Sequence, residues 1–267
     1  MDWNLLLICL LTGVINLIGA LAYAARIAGV HTRRIAMSFA LFNMLVLVSR
    51  LSNGLLAPLV AKRVEHAISG GGHDNLLADF RWLMMSASVA VAIGIALVPM
   101  AQRVFSSAIG SMRKRPSLMR IAASGMTPSG LRAIRRSAVL PKARTLLTMK
   151  RPKEVGWGIL FANALAQGLL VVGVFAALYA GYLVPEFRVT ASQLSAVING
   201  VATILLFALI DPQLSVLTDD VMEGALGEAP FRRAVVWISF SRLAGTIAAQ
   251  VLFVPAAAVV AWIALRL

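Results

Sequence analysis

The chain alternates between long apolar stretches and shorter segments that carry most of its charge. The six apolar stretches run over about Trp3–Ala25, Ile35–Val60, Trp82–Ala101, Val155–Val184, Leu194–Ile210 and Ala234–Leu265. A helix that crosses the hydrocarbon core of a bilayer needs about 20 such residues. The apolar runs are continuous rather than alternating, and backbone in lipid must satisfy its own hydrogen bonds. The pattern therefore predicts an all-α polytopic membrane protein with six transmembrane helices.

The composition supports a membrane protein over a soluble one. Apolar residues make up 60% of the chain and charged residues only 13%, whereas soluble domains carry about 25% charged residues. Such a chain lacks the polar side chains that would cover a surface facing water. Lipid must cover it instead.

The net charge of +14 is concentrated between the apolar stretches. The segments 26–34, 102–154 and 211–233 lie on one side of the predicted membrane and hold 18 of the 25 Lys and Arg residues. Basic loops stay in the cytoplasm, so this asymmetry predicts cytoplasmic loops and outward-facing termini in a bacterial plasma membrane. Anionic lipid headgroups are therefore the expected partners of the positive charge, and nucleic acid is not.

The pattern divides the chain into two three-helix halves, 1–101 and 155–267, joined by a basic cytoplasmic loop, 102–154. An odd number of spans per half gives the halves opposite orientations, which permits a 3+3 inverted repeat. Within the loop, Thr127, Pro128 and Ser129 resemble a helix start. The loop is predicted to form a basic amphipathic helix on the inner leaflet, or alternatively a solvated linker.

Arg50 is the most informative position because it lies inside the second apolar stretch. It is about 22 Å from Ile35 at 1.5 Å per residue, which places it near or beyond mid-bilayer. A central Arg costs roughly 2.5–3.5 kcal/mol to insert, so it usually faces a bundle or a wet cavity. With Asn53 nearby, Arg50 is predicted to bind a phosphate or pyrophosphate. The alternative is that its side chain reaches outward or pairs with a carbonyl group.

Arg242 lies inside the sixth stretch, beside small residues that recur every four positions. Ser241, Gly245 and Ala249 form this series, and small residues at that spacing let two helices approach closely. Arg242 is therefore predicted to point into a tight helix interface or into a central cavity. A structural pair and a substrate contact are both consistent with this position.

The segment that follows the fifth stretch is the most acidic part of the chain. Pro212 is expected to end or break the fifth helix. Asp211, Asp219 and Asp220 then lie near the cytoplasmic mouth, where they could couple transport to an ion or form gating salt bridges with nearby arginines. The alternative is an ordinary turn in which Asp219 or Asp220 caps the next helix.

Several amides lie within the predicted spans. They are Asn16, Asn43, Asn163, Gln167, Asn199 and Gln250. Most amides in such positions hold helices together at about 1 kcal/mol each or less. Some could line a pathway, but the sequence does not indicate which.

No pattern typical of catalysis or cofactor binding is present. The three histidines show no ligand spacing, and no GxSxG, HExxH or Walker motif occurs. The single cysteine, Cys9, is predicted to be a small buried hydrophobe. No catalytic residue, metal site or cofactor is expected.

Two stretches resemble the Amj family, the alternate lipid II flippases of bacterial cell-wall synthesis. The first reads AYAARIAGVHTRRIA over 22–36, followed by LFN over 41–43 and SRLSN over 49–53. The second reads DPQLSVLTDD over 211–220. The resemblance implies movement of undecaprenyl-pyrophosphate-linked disaccharide-pentapeptide from the inner to the outer leaflet.

The charged residues fit this implied substrate. Arg50 and Arg242 could hold the pyrophosphate through charge-assisted hydrogen bonds. Arg26, Arg33 and Arg34 could gather it at the inner face. Two other functions are weighed: a membrane scaffold for cell-wall enzymes, and an enzyme that processes polyprenyl phosphates, which the lack of acidic residues and His within the spans disfavours.

Overall fold

The computed structural model describes residues 2–70, 75–112, 127, 132 and 149–267. Its helices are α1 (Trp3–Thr32), α2 (Ile35–Ile68), α3 (Leu76–Met112), α4 (Trp157–Leu183), α5 (Arg188–Leu205), α6 (Asp211–Met222) and α7 (Glu228–Ala264). A 3₁₀ turn, Pro185–Phe187, precedes α5, and a π-helical turn, Leu206–Ile210, joins α5 to α6. These elements give six helical segments that are long and apolar enough to cross a membrane, which confirms the predicted all-α fold.

The fifth crossing is longer than the sequence predicts, because it continues through Pro212. Pro cannot donate a backbone hydrogen bond, and its ring clashes with the carbonyl four residues earlier in an α-helix. The π-helical turn interrupts the α pattern just before Pro212, which lies in the first turn of α6. Pro is tolerated there because first-turn N–H groups have no partner in the helix. Pro212 therefore follows a break in the α-helical pattern, which is one of the two predicted outcomes, and the helical segment continues beyond it to Met222.

The continuation to Met222 also corrects the interpretation of the acidic pair. Asp219 and Asp220 lie in the last turns of α6, whereas the residue that precedes α7 is Gly227. Neither Asp caps a helix, so that alternative is wrong. The predicted surface helix within 102–154 lies outside the described residues, apart from Thr127 and Arg132.

Alternating helix directions give the bundle two distinct ends. The termini end carries both chain termini and the α2–α3 and α4–α5 connections. The loop end carries the α1–α2, α3–α4 and α6–α7 connections. Each end has its own apolar cluster, built mainly around Phe80, Phe175 and Phe253 at the termini end and around Leu214, Phe231 and Ile238 at the loop end.

Close approach of α4 and α7 follows from small residues on both helices. A Cβ at Gly245 would overlap the backbone carbonyl of Ala164, and a Cβ at Gly168 would lie 3.0 Å from the Gly245 carbonyl oxygen. The Asn163 amide donates to the Ile238 carbonyl at 2.9 Å and to the Ser241 hydroxyl at 2.6 Å. This is the tight interface that the small residues of the sixth span predict.

At the termini end, one buried arginine joins three helices. Arg63 of α2 donates to Asp79 of α3 at 2.7 Å and to both carboxylate oxygens of Asp2 at 2.9 and 3.0 Å. Asp2 also accepts the backbone N–H of Leu5 and so caps α1. The cluster fixes the ends of α1, α2 and α3 relative to one another.

Two helices are packed much less tightly than the rest. The middle of α2 exposes large apolar side chains such as Leu51, which is 72% exposed. The fifth crossing exposes Ile204 and Phe207 in the same way. Within the described part of the chain, α2 and α5 make no extensive contact with each other, so a gap remains between them at mid-bundle.

Candidate functional site

A cavity of about 560 Å³ lies at mid-bundle between the two halves of the chain. Helices α1 and α2 form one wall, and α4 with α5 forms the other. The polar and charged residues that line it are Thr12, Asn16, Tyr23, Asn43, Ser49, Arg50, Asn53, Gln167, Asn199, Thr203, Asp211 and Arg242. Apolar side chains lie between them, so the wall of the cavity is partly apolar and carries polar groups at fixed positions.

Arg242 reaches the cavity by crossing the backbone of α1. A Cβ at Gly19 would lie 2.5 Å from the Arg242 Nη2 and 3.1 Å from its Cζ. Only glycine leaves room for the guanidinium at this point. The guanidinium interacts with the Tyr23 hydroxyl, and its buried Nε has no hydrogen-bond partner among the residues that the structure describes.

Arg50 and Asn53 lie on the side of the cavity that faces the gap between α2 and α5. Both side chains are exposed and both line the cavity. Among the described residues, no carboxylate pairs with Arg50 or with Arg242 within 4.0 Å. The cavity thus contains two guanidinium groups with no acidic partner.

Arg26 and Asp211 form an ion pair at the edge of the cavity. The Arg26 Nη2 donates to the Asp211 Oδ1 at 2.6 Å. Arg26 is 6% exposed, and its cation also lies over the rings of Phe39 and Phe42 of α2, 5.3 and 5.1 Å from their centroids. Asp211 lines the cavity and Arg26 does not. The sequence predicts that Asp211 could form a gating salt bridge with an arginine near the cytoplasmic mouth, and Arg26 is the arginine that pairs with it.

The other candidate residues lie away from the cavity. Arg33 is exposed in the left-handed conformation that ends α1, and Arg34 precedes α2. Asp219 is exposed and Asp220 is half-buried near the end of α6. All four residues belong to the loop end of the bundle. The structure therefore brings together Arg50, Asn53, Arg242, Asp211 and, through its pair, Arg26.

Two contributors to the site were not identified from the sequence. Tyr23 lies beside Arg242, Asp211 and Arg26, and Gly19 makes room for Arg242. The four-residue spacing from Gly19 to Tyr23 places them on one face of α1. That spacing was visible in the sequence, but nothing there indicated that an arginine of another helix would fill the space between them.

The electrostatics of the chamber suit an anion. Among the described lining residues the single carboxylate, Asp211, is already paired with Arg26, so none of them offsets the charges of Arg50 and Arg242. Guanidinium groups bind phosphate oxygens through paired, charge-assisted hydrogen bonds. The described lining contains no His, Cys or Lys side chain.

Comparisons with known proteins agree with this picture. The family model described as "Amj: Alternate to MurJ" matches residues 11–264. A curated relative, the Lipid II flippase Amj of Bacillus subtilis (strain 168), is 34% identical over 257 residues, covering 94% of this chain and 93% of the relative. No solved structure matches the chain. With the family model covering nearly the whole chain, this protein belongs to the Amj family, the alternates to MurJ.

Proposed function

We propose that this protein is a lipid II flippase, which moves the undecaprenyl-pyrophosphate-linked peptidoglycan precursor from the inner to the outer leaflet. The observation that carries the proposal is the mid-bundle cavity with its two uncompensated arginines. Burying a charged side chain inside the membrane costs free energy, and such residues usually serve a function such as binding a substrate of opposite charge. The name of the Bacillus subtilis relative supports the same assignment.

The shape of the cavity suits a substrate with a polar head and a long apolar tail. Arg242 on α7 and Arg50 on α2 approach the chamber from both of its halves, so a pyrophosphate between them would be contacted from two sides. The gap between α2 and α5 faces the surrounding lipid. The isoprenoid tail would pass through that gap and remain in the bilayer while the headgroup crosses.

The loop end supplies the entry side in this proposal. Arg33 and Arg34 lie there and would attract the anionic headgroup, as well as other anionic membrane lipids, by their charge. The Arg26–Asp211 pair stands between this end and the cavity. We assign it a gating role, because its separation would open the chamber toward the loop end.

The proposal places the loop end in the cytoplasm and both termini outside the plasma membrane. The distribution of Lys and Arg between the two sides supports this orientation. The termini end, held by Arg63 with Asp2 and Asp79, is then the outer closure that opens when the substrate is released.

The test is rescue of cells that lack their other lipid II flippase. We expect the wild-type protein to rescue growth and to expose lipid II to an impermeant probe on the outer face. The variants Arg50→Ala and Arg242→Ala should each reduce that exposure, and the double variant should abolish it. Arg103→Ala is the matched control, because Arg103 is exposed on α3 and does not line the cavity.

Protein levels in the membrane must be equal across these variants. Full rescue by the double variant at normal protein levels would show that transport requires neither Arg50 nor Arg242. A scaffold without transport activity would behave in that way. Failure of the wild-type protein to expose lipid II would overturn the flippase assignment itself.

A further inference from the structure

Five amide side chains of the described chain line the cavity, two of them (Asn43 and Asn53) on α2 and the other three on three further helices. Asn16 belongs to α1, Gln167 to α4 and Asn199 to α5, and all three line the chamber. Gln167 is only 3% exposed and Asn16 is 9% exposed. Asn199 is half-buried. All three amides are thus at least partly shielded and border the chamber.

Their hydrogen-bonding capacity is largely unused within the described chain. Gln167 forms no hydrogen bond with another described residue. The Asn16 Nδ2 donates to the Thr12 carbonyl at 2.9 Å, and no described residue donates to its Oδ1. The Oδ1 of Asn199 is buried beside Gly173 and has no partner among the described residues, and its Nδ2 donates to none of them. A buried polar group without a partner is unfavourable, so a ligand that supplies the partners would be favoured.

A neighbouring amide shows what a purely structural role looks like. Asn163 precedes Gln167 by one turn on α4, and its Nδ2 donates to both Ile238 and Ser241 of α7. Asn163 therefore holds two helices together. Gln167 forms no such bond to α7 and instead lines the open space.

Amides and arginines recognise different parts of a ligand. A carboxamide offers two donors and an acceptor without charge, which matches hydroxyl and acetamido groups. Arginine matches phosphate oxygens. The cavity carries both kinds of group, so its ligand should join a diphosphate to an uncharged, hydroxyl-rich unit.

We propose that Asn16, Gln167 and Asn199 form a sugar subsite, which recognises the carbohydrate attached to the diphosphate. This inference rests on the proposed flippase function and adds the residues that select a sugar-bearing lipid. A site that hydrogen-bonds hydroxyl groups discriminates against ligands that lack them. The amides would thus favour the loaded carrier over the bare polyprenyl diphosphate.

The test compares two lipids on the purified full-length protein in nanodiscs. Lipid II carries the sugars and the pentapeptide, and undecaprenyl diphosphate has the same tail and a diphosphate without them. We expect Gln167→Leu to weaken lipid II binding about three- to tenfold, the loss of one or two neutral hydrogen bonds, and to leave undecaprenyl diphosphate binding unchanged. Arg242→Ala should weaken the binding of both lipids.

Matched variants keep the result interpretable. Gln193→Leu changes an exposed amide of α5 outside the cavity and should alter neither affinity. Asn16→Ala removes an amide from the opposite wall and should repeat the selective loss seen with Gln167→Leu. This second variant decides the question if Gln167→Leu fails to fold.

The outcomes separate the two proposals. Equal weakening of both lipids by the amide variants, or no weakening of either, would overturn the sugar subsite while leaving the flippase assignment in place. Absence of lipid II binding by the wild-type protein, together with failure to rescue cells, would overturn both.

Discussion

At the level of single residues, Arg26, Arg50 and Arg242 lie within membrane-spanning helices but have different surroundings. Arg26 is buried, paired with Asp211 and stacked between two phenylalanines. Arg242 has Tyr23 beside it but no carboxylate, and Arg50 faces an opening. An intramembrane charge is tolerated when it is paired or reaches a wet cavity. Arg26 meets the first condition, whereas Arg50 and Arg242 line the cavity.

The position of Arg242 depends on the missing side chain of Gly19. We expect Gly19→Ala to displace the guanidinium, because the new methyl group would lie 2.5 Å from Nη2. Transport should fall at least about tenfold, the loss of a hydrogen bond to a charged group, while the amount of folded protein changes little. This effect should be close to that of Arg242→Ala. Exposure of lipid II on the outer face measures it.

Gly54→Ala is the control for this prediction. Gly54 also lines the cavity, but a Cβ there meets no atom within 4 Å. This variant should transport as well as the wild type. Normal transport by Gly19→Ala would show that the guanidinium does not need its present position.

The Arg26–Asp211 pair should be energetically coupled. Asp211→Asn leaves a buried arginine without its counter-charge, and Arg26→Gln leaves the carboxylate without its donor. Each change should lower the apparent Tm of the detergent-purified protein, and the double variant should lose less than the sum of the two. We expect a coupling of about 1–3 kcal/mol, typical of a hydrogen bond between charged groups. Additive losses would contradict the pairing.

At the level of elements, the π-helical turn determines where Asp211 lies. A π turn closes hydrogen bonds one residue later than an α turn, and such turns occur often at functional sites. Leu206 and Phe207 of this turn line the cavity, and Asp211 follows directly. The turn thus accommodates Pro212 and brings the only lining carboxylate to Arg26.

Helix α2 forms the most open wall of the cavity, which leads to a steric prediction. Gly54→Trp would place a large ring at the opening between α2 and α5, without a clash at its Cβ. We expect the variant to fold and reach the membrane normally but to lose transport, because the ring would occupy the path of the headgroup or tail. Rescue of flippase-deficient cells measures this loss.

Gly158→Trp serves as the comparison for this steric block. Gly158 lies on α4, is exposed and does not line the cavity, and a Cβ there would also meet no atom within 4 Å. It should rescue cells like the wild type. Rescue by Gly54→Trp would exclude the gap from the transport path.

The membrane-spanning helices could largely be predicted from the sequence, whereas the residues that line the cavity could be predicted only in part. Continuous apolar runs suffice to predict spanning helices, because lipid allows few other structures. The partner of each side chain is different, since it depends on packing between helices. Asn163 and Gln167 look alike in the sequence, yet one binds α7 and the other faces the cavity. The helix also continues beyond Pro212 through a π turn, which no local sequence pattern predicts.

At the level of the whole molecule, the cavity lies between packed clusters along the bundle axis and is bordered by the loosely packed α2 and α5. The Phe80 cluster and the Arg63 ion pairs lie at the termini end, while the Phe231 cluster lies at the loop end. Both α2 and α5 expose large apolar side chains, as helices in contact with lipid do. This arrangement suits a substrate whose tail never leaves the bilayer, because only the headgroup needs a polar route.

The direction of transport requires the loop end to face the cytoplasm, and cysteine labelling can test this. Cys9 is the only native cysteine, so Cys9→Ala provides a clean background. In that background, Ser69→Cys probes the termini end and Lys150→Cys probes the loop end, since both positions are exposed. A membrane-impermeant maleimide should label Ser69→Cys in intact cells and Lys150→Cys only after permeabilisation, because basic segments are retained inside. The reverse pattern would place Arg33 and Arg34 outside the cell, where they could not gather a substrate made in the cytoplasm.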